Sequence, residues 1–147
     1  MADNILEKTR QAFIGVITAA NVGTPNIYNE RNSAEKVAPD VTCGASNAQE
    51  DPLGTGNYWV DSEVSIRIPA AVDVGGTDPK PDGDTICSNV LGILEVDDAS
   101  LIAALSMQVA DYVVMGFATD KSIEESVDGD CWVLTWKRRL YCAGSEF

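Results

Sequence analysis

Apolar side chains recur at helical spacing near the start of the chain and at every second position in its middle. Ile5, Leu6, Thr9, Phe13, Val16, Ile17 and Ala20 fall on one face at a period near 3.6, which predicts a core-facing amphipathic helix. Asp3 or Asn4 would cap its start, and Asn21, Val22 and Gly23 carry the signature of its end. Further along, Tyr58, Val60, Ser62, Val64, Ile66 and Ile68 alternate with Trp59, Asp61, Glu63, Ser65 and Arg67. One apolar and one polar row at a period of two predict a strand buried on one side and wet on the other, and Pro69 ends it.

Weaker signals fill in the rest. Short strands are expected over 26–32 and 39–45, and 46–56 reads as an exposed loop of small and polar residues. Glycines and prolines make 73–83 a second exposed loop. Asp82 or Asp84 can cap a helix reaching about Glu95, with Ile86, Val90, Leu91, Ile93 and Leu94 as its apolar side. Asp97 and Asp98 announce a short helix carrying Leu101, Ile102 and Leu105, and acids at both starts suit the positive end of the helix dipole. A strand over 109–119, a turn at Asp128 and Gly129 and a strand over 131–142 predict a closing hairpin. The order implies an α+β fold: one domain over 1–147, mainly an antiparallel sheet, with an N-terminal helix and two central helices packed on it. Residues 144–147 read as a flexible tail.

Composition narrows the function classes. The chain has 147 residues, the usual size of one domain with a real core. It carries 23 Asp and Glu against 10 Lys and Arg, a formal charge of −13. That sign opposes phosphate binding and argues against a sequence-specific nucleic-acid reader. Such a surface is either simply solvated or built to stay near DNA without adhering to it. The chain has no histidine, which removes the commonest acid–base catalyst and every mixed Cys/His zinc site. Cys43, Cys87, Cys131 and Cys142 are scattered and form no C-x-x-C pair, so free thiols in a reducing cytoplasm are expected. The apolar run 12–20 follows Lys8 and Arg10 as a secretory signal would, but Asp3 and Glu7 interrupt the basic region and the spacing is helical. No run reaches the roughly 20 apolar residues of a membrane span.

Specific chemistries fail on spacing. A calcium loop starting at Asp78 would place Lys80 third and Asn89 twelfth, and one starting at Asp82 would place Ile93 where a bidentate Glu belongs. An irregular site from Asp78, Asp82 and Asp84 is the remaining calcium option, although helix capping accounts for the same residues. Gly54, Thr55 and Gly56 lead into a strand rather than a helix, which excludes the dinucleotide fingerprint, and no Walker lysine follows a glycine cluster. Serine and cysteine nucleophiles lack a histidine base. Carboxylate pairs such as Glu124 with Glu125, or Asp128 with Asp130, are expected by chance in so acidic a chain. No enzyme and no cofactor is expected.

Interaction chemistry is better represented. Trp132, Leu134 and Trp136 alternate with Cys131, Val133 and Thr135, as in a central strand with two apolar faces. Lys137, Arg138 and Arg139 follow, and the two-residue period puts Lys137 and Arg139 on one face with Tyr141 while Arg138 follows Trp136. Aromatic and Arg side chains concentrate at interfaces, which makes Trp136, Lys137, Arg138, Arg139 and Tyr141 a candidate subunit interface. Local packing and salt bridges are the competing account of each. Asn47 and Asp51 in the first loop, and Asp73, Asp78, Asp82 and Asp84 around the second, are candidates for ordering on assembly.

Several of these pieces together resemble a known class. An N-terminal helix, the run Ile27-Tyr28-Asn29-Glu30-Arg31-Asn32, the run Gly54-Thr55-Gly56-Asn57-Tyr58-Trp59 opening a strand, and a Trp132-Val133-Leu134-Thr135 strand closing on Leu140-Tyr141-Cys142-Ala143 are similar to small neck and tail-completion proteins of long-tailed bacteriophages, tail terminators above all. The resemblance covers most of the chain in element order. It implies a catalytically inactive α+β subunit of a ring, usually hexameric, that caps the tail tube and meets the head connector. The partners it implies are copies of the chain itself, tail-tube and connector proteins, with DNA passing through an acidic lumen and no membrane. The setting it implies is a virion assembled in the host cytoplasm. A capsid-decorating or head-completion protein, and an acidic cytoplasmic adaptor or inhibitor, are the alternatives.

Overall fold

The N-terminal apolar stripe forms α1 (Ala2–Ala20), which buries Ile5, Thr9, Ala12, Phe13, Val16 and Ile17 and leaves Ala20 exposed. The computed structural model describes residues 2–20, 26–31, 36–37, 39–52, 56–69 and 81–144. The helix begins before Asp3 and Asn4, so these lie in its first turn rather than capping it, and the end signal at 21–23 falls outside the described residues. Five strands follow within those residues: β1 (Ile27–Asn29), β2 (Asp40–Glu50), β3 (Asn57–Pro69), β4 (Tyr112–Asp128) and β5 (Cys131–Gly144). Between β3 and β4 lie α2 (Pro81–Leu94) and α3 (Asp98–Ser106).

The strands make one mixed sheet in the order β1-β2-β3-β5-β4, antiparallel except for the β1–β2 pair. The fold is α+β, as the element order predicts. The alternation from Tyr58 holds in β3, where Val60, Ser62, Val64, Ile66 and Ile68 are buried and the intervening residues are half-exposed. All three helices pack on the side of the sheet that carries this buried row. Phe13 of α1 meets Trp136 of β5 edge-to-face, with ring centroids 5.8 Å apart at 61°. Tyr112 of β4 donates a hydrogen bond to Thr9 at 3.0 Å and lies 3.3 Å from the Cys142 sulfur, so α1 is tied to both hairpin strands. Burial pushes the Tyr112 hydroxyl and the Cys142 thiol up, the thiol to about 12. Both stay neutral.

Two strands are longer than their sequence suggests. Residues 46–50, expected in a loop, continue β2 past a bulge at Asn47, whose φ is 49°. Asn tolerates this left-handed conformation, and the bulge re-aims the strand without ending its pairing with β3. The strand expected over 109–119 starts at Tyr112 and runs on to Asp128, with register shifts between Val114 and Gly116 and between Phe117 and Lys121. Of the expected loop 73–83, residues 81–83 belong to α2 and 73–80 lie outside the described residues. Gly144, expected in a flexible tail, pairs with Tyr112 at the end of β5. Asp97 caps α3 as predicted: its side chain accepts from the Ser100 N–H at 2.9 Å. The hairpin turn places Gly129 at φ 60°, the positive value that the first central position of a type II′ turn requires.

Candidate functional site

Strand β5 is central, flanked by β3 and β4, so its two rows of side chains have opposite fates. Trp136, Arg138, Leu140 and Cys142 face the helices and are buried. Lys137, Arg139 and Tyr141 face the side of the sheet away from the helices. The two-residue period therefore splits the basic triplet as expected, but two members of the candidate interface are corrected. Trp136 is 0% exposed and belongs to the core. Arg138 is buried as well and is spent on internal contacts. Its guanidinium grips both carboxylate oxygens of Asp98 at 2.8 and 3.1 Å, its Nε donates to the Ala118 carbonyl at 3.1 Å, and its plane sits 4.5 Å from the Phe117 ring centroid. A fork-shaped donor suits this place because it fills the irregular stretch of β4 and ties it to the start of α3.

The other face is an ordered mosaic of charge. Across it, β3 contributes Asp61 and Glu63, β5 contributes Lys137 and Arg139, and β4 contributes Glu124. Arg139 Nε donates to Asp61 at 2.8 Å, and the Lys137 ammonium lies 2.6 Å from Glu124. The hydrogen bond from Arg139 holds the Asp61 carboxyl below its usual range, and the one that Lys137 donates to Glu124 raises the Lys137 pKa. Asn47, at the bulge, donates to the other Asp61 oxygen at 3.1 Å. Tyr141 packs against Trp59 with ring centroids 4.8 Å apart and planes tilted by 42°, accepts from Asn57 Nδ2 at 3.1 Å and donates to Asp51. The structure thus brings Asn47, Asp51, Lys137, Arg139 and Tyr141 onto one surface. Ser46, Asp61, Glu63, Lys137 and Arg139 also line a shallow depression of about 400 Å³ that opens on it.

The remaining acidic candidates do not converge there. Asp84 is exposed in the first turn of α2, Asp82 lies in the same turn, and Asp73 and Asp78 fall outside the described residues. Among the described residues no three His, Cys, Asp or Glu side chains gather as metal ligands, and no helix is long and apolar enough to cross a membrane. Sequence reasoning missed Asn57, Asp61, Glu63 and Glu124 as parts of the face. The alternation of β3 contained the signal for Asp61 and Glu63. Their pairing with β5 needed the strand order, which adjacent segments do not reveal. No protein-family model matches the chain, and no curated protein is detectably similar to it.

Proposed function

We propose that the protein is a non-enzymatic structural subunit of a long-tailed bacteriophage, forming a ring at the head–tail junction that caps the tail tube and lets DNA pass. The observation that carries this reading is the helix-free face of the sheet, where a column of acids (Asp61 and Glu63) lies beside a column of bases (Lys137 and Arg139). A surface with adjoining columns of opposite sign is complementary to a copy of itself. Its ion pairs are about half exposed, and exposed pairs contribute only ~0–1 kcal/mol each, so they exchange partners across an interface at little cost. Trp59 and Tyr141 supply the aromatic anchors that such contacts favour. The charge of −13 keeps DNA from adhering to a conduit built from this chain.

Light scattering after size-exclusion chromatography, with negative-stain microscopy, tests the proposal. Rings, or a discrete multiple of 15.7 kDa, are expected from the protein alone or on added tail tubes. Reversing both cations (Lys137→Glu with Arg139→Glu) should abolish them while leaving the circular dichroism unchanged. A protein that stays at 15.7 kDa in both settings would sink the reading. Unchanged rings in the double variant would remove this face from the interface.

A further inference from the structure

The rows that cross from β3 to β5 on the helix-free face share one property: each sets a group beside its chemical complement. Trp59 lies directly opposite Tyr141, and Asp61 opposite Arg139. Glu63 lies opposite Lys137, and Ser65 opposite Thr135, with the two hydroxyl oxygens 3.3 Å apart. Lys137 and Arg139 are exposed and the other six side chains half-exposed, so all four rows meet solvent. The Lys137 ammonium leans out of its own row to Glu124, and among the described residues Glu63 makes no ion pair.

This register selects one way of laying a second copy on the face. A half-turn about a line along the strands, midway between β3 and β5, keeps every row at its own level and exchanges its two ends. Asp61 then meets Arg139 of the second copy, Glu63 meets its Lys137, and Trp59 meets its Tyr141. A half-turn about a line across the strands keeps the columns and exchanges the levels. That sets Asp61 against Glu63 and Lys137 against Arg139, and like charges so juxtaposed are repelled. Moving the first line to the β2–β3 boundary would face Asp61 with Ser46 and Glu63 with Gly44, and at the β5–β4 boundary Lys137 would face Ser122. Charge is matched only between β3 and β5. We infer that the helix-free face joins two copies about a two-fold axis running along the strands between β3 and β5. The two-fold contact rests on the proposed reading of this face as the place where copies meet, and goes beyond it by fixing the symmetry. Sheets packed face to face cross at about 30°, so the match is best at the centre, where the two charged rows lie. Those rows set the orientation, while Trp59 and Tyr141 supply most of the affinity. A two-fold contact closes on itself, so a ring built on it has an even number of copies and a second surface joins the pairs.

Two single variants, Glu63→Lys and Lys137→Glu, and one spin label test the contact. Each variant alone sets like charges against each other twice, so its self-association in light scattering should weaken roughly tenfold or more. An equimolar mixture of the two should regain the parent's assembly, because each new charge then meets its opposite in the other variant. Recovery on mixing also shows that neither variant had simply unfolded. The label reads the axis. The native cysteines are buried, so a nitroxide goes to Thr135→Cys, one row beyond the charges. Sheets packed face to face stand about 10 Å apart, and labels on two copies should come within about 20 Å of each other by electron–electron resonance. A head-to-tail ring would hold them a whole domain apart, about 30 Å. A parent that stays at 15.7 kDa, alone and on added tail tubes, overturns the two-fold contact together with the ring. Labels a domain apart, single variants that assemble as well as the parent, or a mixture that stays dissociated overturns the two-fold contact alone.

Discussion

Trp136 lies at the centre of the core with its ring against Phe13, yet its indole N–H is buried without a hydrogen-bond partner among the described residues. Its contribution is volume and ring contact, set against the desolvation of one donor. Truncation to Ala should cost about 3–5 kcal/mol through lost transfer energy and the cavity left behind. Replacement by Phe keeps a ring and removes a donor whose unsatisfied burial costs about 1–3 kcal/mol. Trp136→Phe should therefore lose less than half of what Trp136→Ala loses in urea denaturation. Equal losses would show that the indole's full size, not its ring character, holds the site. This residue also marks where reading by period reaches its limit. Alternation put Trp136 and Arg138 on one face and Lys137 and Arg139 on the other. Which face met the helices depended on α1 and α3 arriving from distant parts of the chain.

At the scale of elements, the Arg138–Asp98 fork joins the first turn of α3 to the hairpin. Hydrogen bonding from Arg138 holds the Asp98 carboxyl below its ordinary value, as Arg139 does for Asp61. A carboxylate with a lowered folded-state pKa contributes its stability fully above its unfolded value, and that contribution is lost as pH falls through the folded value. The melting midpoint should thus drop on acidification below the ordinary aspartate value of 3.8. Asp98→Asn should melt lower at pH 7 and lose less on acidification than the parent. An identical acid slope, followed by scanning calorimetry, would place the sensitivity elsewhere. Element existence was legible where burial imposed a period: the α1 stripe, the β3 alternation and the hairpin turn at Gly129. Element length was not. Residues 120–127 are polar except for Ile123 and Val127 because β4 lies at the edge of the described sheet, where few neighbours demand apolar side chains. Residues 46–50 continue β2 through an Asn bulge whose composition is that of a turn.

For the molecule as a whole, −13 on 147 residues sets self-repulsion against a few local pairs. Repulsion acts over distances that salt screens readily, whereas the Arg138 fork is partly buried and screened less. Raising sodium chloride from low ionic strength to about 0.5 M should therefore raise the melting midpoint by a few degrees. A fall would mean that the surface pairs outweigh the net charge. The total charge was legible from composition. Its arrangement into columns across β3 and β5 was not, because those strands are more than 60 residues apart in the chain yet adjacent in the sheet. That adjacency also constrains how the protein is made. Strand β5 is synthesised after the other four described strands yet lies between two of them, so until residue 144 has left the ribosome β3 has an open flank and β4 has no neighbour among the described strands. A stalled or shortened nascent chain therefore presents an open flank on β3 and an unpaired β4, the kind of exposed strand edges that make incomplete chains prone to aggregate until β5 closes the gap.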